Sequence, residues 1–265
     1  MMIGAIAGDI AGSLYEFHPQ KREDIPLFTS KSFFTDDTVM TIAAAQAILT
    51  QKPCAECYRT YGKRYPYAGY GGMFAQWLMS TNPKPYNSYG NGSAMRVSAV
   101  GWAFDSVDEV LAEAEKTAVP THNHPEGIKG AQATALAILM ARQGSTKEGI
   151  RSEISSRFDY DLSRSVESIR TGYAFNETCQ ETVPEAVIAF LDAGSFEDTL
   201  RKAISLGGDA DTLACIAGGI AEAFYGGVPQ SVLEIVKEKL APDLLEITEQ
   251  FRSRYLAGLY PASLL

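Results

Sequence analysis

Stretches in which apolar and polar residues alternate, the mark of a half-buried strand, are scarce in this chain. Basic clusters are missing as well: no basic run exceeds two residues, and Lys21-Arg22 is followed at once by Glu23-Asp24. With a formal charge of -9, the surface repels phosphate backbones, and no non-specific nucleic-acid binding is expected. No run of about 18 uninterrupted apolar residues is present, so no membrane span is expected. The apolar start, MMIGAIAGDIAGSLYEF, lacks a basic leader and is broken by Asp9 and Glu16, so it does not read as a secretory signal. Cysteine is sparse, at 54, 57, 179 and 215 only, which does not make a disulfide framework in a chain of 265 residues. Cys54 and Cys57 form a lone CxxC with no second ligand pair at zinc spacing, and they read as idle thiols. A reducing, cytoplasmic setting and, by default, a monomer are expected.

What the chain does have is helical spacing. Hydrophobic residues make up 46%, enough for a full core without disulfide or zinc staples. The segments 38–51, 126–142 and 212–225 are Ala-, Leu- and Ile-rich and are bounded by proline or glycine. Further helices are expected at 4–17, 54–63, 106–116, 145–157, 181–193, 195–206, 229–239 and 242–256. No low-complexity linker divides the chain, so the expectation is an all-α, single domain over 1–265. In the first helix Gly4, Gly8 and Gly12 recur every fourth residue, with Glu16 next in the series. Each glycine weakens a helix by roughly 1 kcal/mol relative to alanine, so the stripe implies close approach of another helix or a ligand.

Two acidic clusters share one design. Thr35-Asp36-Asp37-Thr38 precedes the first Ala-rich helix, and Gly207-Gly208-Asp209-Ala210-Asp211-Thr212 opens another. Capping explains one Asp or Thr at a helix start, because such side chains accept hydrogen bonds from free backbone N–H groups. Two neighbouring carboxylates repel each other unless a cation lies between them. Paired Asp plus Thr offers the all-oxygen donors that Mg²⁺ or Mn²⁺ takes, and a double-metal site needs two such sets meeting in space. The haloacid-dehalogenase nucleophile motif fits Asp209 and Asp211 poorly, because Thr212 comes one residue too early and no apolar strand precedes.

A third group, residues 87–96, is the glycine-punctuated polar loop Asn-Ser-Tyr-Gly-Asn-Gly-Ser-Ala-Met-Arg. Exposed backbone N–H groups cradle phosphates and a tyrosine face can stack on a base, although the bare pattern is also just a turn-rich loop. Thr121-His122-Asn123-His124-Pro125 precedes a helix; two histidines at i, i+2 could bind metal, but the carboxylates are better ligands for a hard ion.

These elements together resemble the ADP-ribosylglycohydrolase family. The resemblance rests on GxxxGDxxGxxxE from Gly4 to Glu16, TDDT at 35–38, YGNGSAMR at 89–96, TH at 121–122 and GGDADT at 207–212, in the family's order. It implies an all-α fold and a dinuclear Mg²⁺ (or Mn²⁺) site, with Thr35, Asp36 and Asp37 on one side and Asp209, Asp211 and Thr212 on the other. Glu16 matches a carboxylate at the metals. Ser88, Tyr89, Gly90, Asn91 and Gly92 match the loop for the diphosphate and adenosine end, with Tyr89 as the base-stacking ring. His122, rather than His124, matches a substrate-contacting histidine. The implied activity is hydrolysis at C1 of the distal ribose, releasing ADP-ribose from an ADP-ribosylated protein or small-molecule acceptor. Glu16 or a metal-bound carboxylate such as Asp37 would handle the proton. Glu16 and the SYGNG loop lean slightly toward serine or O-acetyl acceptors over arginine. The alternatives are another metal-dependent nucleotide or phosphate hydrolase and a non-catalytic, ADP-ribose-binding member.

Overall fold

The computed structural model describes residues 2–255, among which there are fifteen helices and no strand. They are α1 (Ile3–Gly12), α2 (Asp36–Thr50), α3 (Cys54–Arg64), α4 (Gly72–Met79), α5 (Gly92–Met95), α6 (Ser98–Ala103), α7 (Val107–Ala118) and α8 (Pro125–Arg142). After these come α9 (Lys147–Phe158), α10 (Val166–Arg170), α11 (Cys179–Asp192), α12 (Phe196–Ser205), α13 (Ala210–Tyr225), α14 (Gln230–Lys239) and α15 (Pro242–Tyr255). The all-α expectation agrees with this. The outer ends of the 1–265 span, and the last residue of the expected helix 242–256, lie outside the described residues.

The centre is a helix pair. Every residue of α1 is buried, as are residues 210–223 of α13, the state expected of helices that are apolar all round. The glycine stripe is what lets them touch. A Cβ at Gly4 would stand 2.3 Å from the Gly218 carbonyl, one at Gly8 2.0 Å from the Ala214 carbonyl, and one at Gly12 2.4 Å from the Asp211 Cα. The close neighbour that the stripe implied is therefore a helix. Glu222 of α13 closes the start of α1, accepting from the Gly4 N–H at 2.9 Å. Around this pair, α8, α11 and α12 pack on α13, while α2 and α14 pack on α1, and α3, α6 and α15 flank α2. Among the described residues no helix is long and apolar enough to cross a membrane.

The expected helix at 4–17 ends five residues early, at Gly12. Ser13 turns its hydroxyl onto the Ile10 carbonyl at 2.9 Å, competing with the helical ladder, and Tyr15 N–H tightens onto the Gly12 carbonyl at 2.7 Å. Glu16 thus sits in a turn beyond the helix. The short helices α4, α5, α6 and α10 were not expected, because four to eight residues do not display a helical period. The four cysteines are free thiols, three of them buried. Burial pushes the Cys57 thiol up to about 11, in keeping with an idle CxxC.

Candidate metal centre and cleft

Both Asp/Thr clusters stand at helix starts, and the fold brings them together. Thr35 is the N-cap of α2, its hydroxyl accepting from the Asp37 N–H at 3.3 Å, so Asp36 and Asp37 occupy the first turn. The Asp36 N–H is held by the Ala68 carbonyl at 2.8 Å. Asp209 stands at the N-cap of α13 without a side-chain cap bond, and Asp211 follows in the first turn. Gly207 reaches this turn at φ +67°, and a Cβ on Gly208 would strike the Tyr173 ring at 2.2 Å, so the glycines are needed on both counts. The clusters are joined where the Thr212 hydroxyl donates to Asp37 Oδ2 at 3.3 Å. Glu16 completes the group: ligand oxygens of Glu16, Asp209 and Asp211 lie within 4.8 Å of one another.

Asp9, which carried no assignment in the sequence reading, is the buried brace of this arrangement. It accepts from the Thr35 N–H at 2.9 Å, the Thr35 hydroxyl at 2.7 Å and the Thr38 N–H at 3.1 Å, and also from the Thr38 hydroxyl. Four donors on one carboxylate fix the start of α2, and with it Asp36 and Asp37, against α1. A carboxylate in an otherwise apolar, glycine-striped helix is the signal that could have found it.

The electrostatics are those of crowded, buried carboxyls. Burial first, then mutual repulsion with Asp211 and Asp9, raises the Asp36 and Asp37 carboxyls well above the usual carboxylate range. Asp211 is raised likewise, by burial and then by Asp209. Burial lifts Asp209 to about 6, and burial with repulsion from Asp211, Glu177 and Asp9 lifts Glu16 to about 8. Among the described residues the ion pairs of lysine and arginine all lie elsewhere. Asp37 Oδ1 is buried with no hydrogen-bond partner, an arrangement that costs several kcal/mol unless something positive meets it. An all-oxygen donor set holding an orphaned buried carboxylate oxygen fits a hard divalent cation.

The cleft over these carboxylates has a volume of about 400 Å³. Of the expected substrate residues, Ser88, Gly90, Asn91, Gly92 and His122 line it, as do Glu16, Asp36, Asp37, Asp209, Asp211 and Thr212. Thr35 and Tyr89 stand back from it. The Thr35 hydroxyl is engaged by Asp9. The half-exposed Tyr89 ring meets His124 edge-on at 5.3 Å, and Phe74 and Tyr86 are aromatic side chains that line the cleft. His124 caps α8, accepting from the Glu126 N–H at 3.1 Å. The 88–92 loop is stapled to the start of α11: Asn91 N–H donates to the Glu177 carbonyl at 2.7 Å and Cys179 N–H to the Tyr89 carbonyl at 2.9 Å. Asn91 Nδ2 then donates to Asp209 Oδ2 at 2.7 Å, tying the loop to the acidic centre. Glu177 also lines the cleft; it lies in an irregular loop with no motif to mark it.

Comparisons with known proteins agree with this geometry. A family model described as ADP-ribosylglycohydrolase matches residues 1–260. The human protein named ADP-ribosylhydrolase ARH3 is 29% identical, covering 87% of this chain and 86% of its own length. ADP-ribosylarginine hydrolase Tri1 of Pseudomonas putida is 25% identical over 94% of this chain and 78% of its own. A solved structure titled ADP-ribosylglycohydrolase-related protein complex superposes with a TM-score of 0.73 at 23% identity, covering 96% of this chain and 95% of that one.

Proposed function

Because this chain belongs to the ADP-ribosylglycohydrolase family, hydrolases acting on glycosidic bonds, we propose that it releases ADP-ribose from an acceptor by divalent-metal-dependent hydrolysis at C1 of the distal ribose. The observation that carries the metal dependence is the orphaned Asp37 Oδ1, buried in a carboxylate group that no lysine or arginine neutralises. Asp36 and Asp37, with Thr35 behind them, would hold one Mg²⁺ or Mn²⁺; Asp209, Asp211 and Thr212 would hold a second. When bound, the ions would supply Lewis-acid polarisation and stabilise charge in the oxocarbenium-like transition state.

The protein's own residues do the rest. Ser88, Gly90, Asn91 and Gly92 line the cleft with polar groups suited to a diphosphate, and the staple to α11 keeps that loop in register. Phe74 and Tyr86 offer flat apolar walls to a base or sugar. Glu16 is the partly exposed member of its carboxylate triad, so its carboxyl can exchange a proton with water or with a departing oxygen. We take the acceptor to be oxygen-linked, serine or O-acetyl, the side to which Glu16 and the SYGNG loop lean; a serine alkoxide must take up a proton as it leaves, whereas acetate leaves as a stable carboxylate. A second reading, an arginine-linked acceptor, is favoured by the match to ADP-ribosylarginine hydrolase Tri1.

The deciding experiment measures free ADP-ribose released from serine-linked, O-acetyl and arginine-linked substrates, each with Mg²⁺, Mn²⁺ or EDTA. Metal-dependent release from the oxygen-linked substrates and not from arginine is expected. Release from arginine alone would overturn the acceptor assignment. Undiminished release in EDTA would overturn the metal dependence.

A further inference from the structure

Resting on the reading of the cleft as an ADP-ribose site, we propose that Arg96 and Thr121 are positioning residues that hold His122 as the neutral Nε2–H tautomer. His122 thereby becomes a dedicated hydrogen-bond donor to an anionic oxygen of the bound substrate.

The chain of contacts begins at Arg96, the large buried cation behind the 88–92 loop. Its guanidinium donates to the Thr117 carbonyl at 3.0 Å and to the Thr121 hydroxyl oxygen at 2.7 Å, and it lies 4.3 Å over the Tyr58 ring. Tyr58 is itself fixed, donating to the same Thr117 carbonyl at 2.9 Å. Thr117 and Ala118 end α7, so the cation sits at the negative end of a helix. Among the described residues no carboxylate pairs with it, and its Nε is buried without a partner.

A guanidinium only donates and does not lose its proton, so the Thr121 oxygen must accept from it. The hydroxyl's own hydrogen is then free to point at His122 Nδ1, 2.7 Å away. With Nδ1 accepting, the single proton of a neutral imidazole resides on Nε2. That nitrogen faces the loop: a Cβ at Gly92 would stand 3.1 Å from it, and one at Gly90 3.6 Å. Burial, and then the Arg96 charge, keep the ring from taking a second proton. The same uncompensated charge gives the back wall of a carboxylate-rich cleft a positive potential toward an anion.

The test reads the tautomer directly. The chain has only three histidines, so long-range ¹H–¹⁵N correlation of the ¹⁵N-labelled protein, with His122→Gln for assignment, isolates the His122 nitrogens. A protonated Nε2 beside a bare Nδ1 near neutral pH is expected. Thr121→Val should mix the tautomers and weaken ADP-ribose binding about tenfold, the equivalent of one charge-assisted hydrogen bond. It should do so by raising KM with kcat little changed, and Thr121→Ser should restore the single tautomer and the lower KM. A protonated Nδ1 or an imidazolium in the unsubstituted protein would overturn the proposal without needing any variant to fold. So would Thr121→Val with tautomer and affinity unaltered. Absence of ADP-ribose binding by the unsubstituted protein would instead defeat the reading of the cleft, and the nitrogen signals would still decide the tautomer.

Discussion

Gly218 and Gly219 are neighbours in one turn of α13, and alanine at each should act with opposite sign. Both sit in a helix interior, where alanine gains about 1 kcal/mol from propensity alone. A Cβ at Gly219 would meet Ile138 Cδ1 at 3.5 Å and Ala5 Cβ at 3.6 Å, both ordinary contacts, so Gly219→Ala keeps most of that gain. At Gly218 the new carbon would stand 2.3 Å from the Gly4 carbonyl oxygen, roughly 1 Å inside the usual carbon–oxygen approach. The obstacle is helix backbone, not a flexible side chain, so α1 and α13 must part. Overpacking of this kind costs typically 1–3 kcal/mol, and the upper half of that range applies to a backbone clash. Gly218→Ala should therefore lose about 1–2 kcal/mol net, leaving the two variants about 2–3 kcal/mol apart. For a chain of this size that is roughly 5–10 °C in Tm, measurable alongside urea unfolding with EDTA or one fixed cation concentration throughout. Equal stabilisation by both alanines would mean that α1 and α13 are not seated as closely as described.

Two further outcomes follow from the carboxylate centre. Metal-free protein should gain stability as pH falls from about 8 toward 5. Glu16 and Asp209 have folded-state pKa values raised above their unfolded values, to about 8 and about 6, so the folded state binds more protons across that window and stability drops as pH rises. Thermal scans in EDTA would check this, and a saturating divalent cation should remove the gain; a flat profile in EDTA would contradict the carboxylate repulsion. Asn91→Ala removes the amide that donates to Asp209 Oδ2 and to the Thr182 hydroxyl, and should weaken Mg²⁺ or Mn²⁺ binding by about 10–100-fold in isothermal titration.

The features legible in the sequence were those with local causes. The α2 and α13 starts could be read because capping chemistry and paired carboxylates occupy consecutive positions, Thr35 to Thr38 and Asp209 to Thr212. That the two starts face each other depends on α1 lying against α13, which the glycine stripe hinted at without naming the partner. Asp9 escaped because its role is entirely long-range: all four of its donors come from 26 or 29 residues away. Glu177 escaped for a similar reason, as its place on the cleft is set by a two-residue pairing with the 88–92 loop. Tyr89 had the chemistry for stacking legible in its residue type, while the use of its backbone in the staple and the edge-on contact of its ring with His124 depend on the fold. The end of α1 was misjudged because Ser13 is a poor helix stop on propensity alone and becomes one through its own hydroxyl.

The α1–α13 pair also sets a timetable for synthesis. The bond from Gly4 to Glu222 spans 218 residues, so at about 5–20 residues per second α13 follows α1 out of the ribosome by about 10–40 s. During that interval a segment with no solvent-facing side, and too much glycine to hold a helix alone, waits for its partner. A chaperone that shields apolar segments of the nascent chain has its natural client there. A product truncated between residues 38 and 208 carries Glu16, Asp36 and Asp37 but lacks Asp209 and Asp211, with which the centre closes.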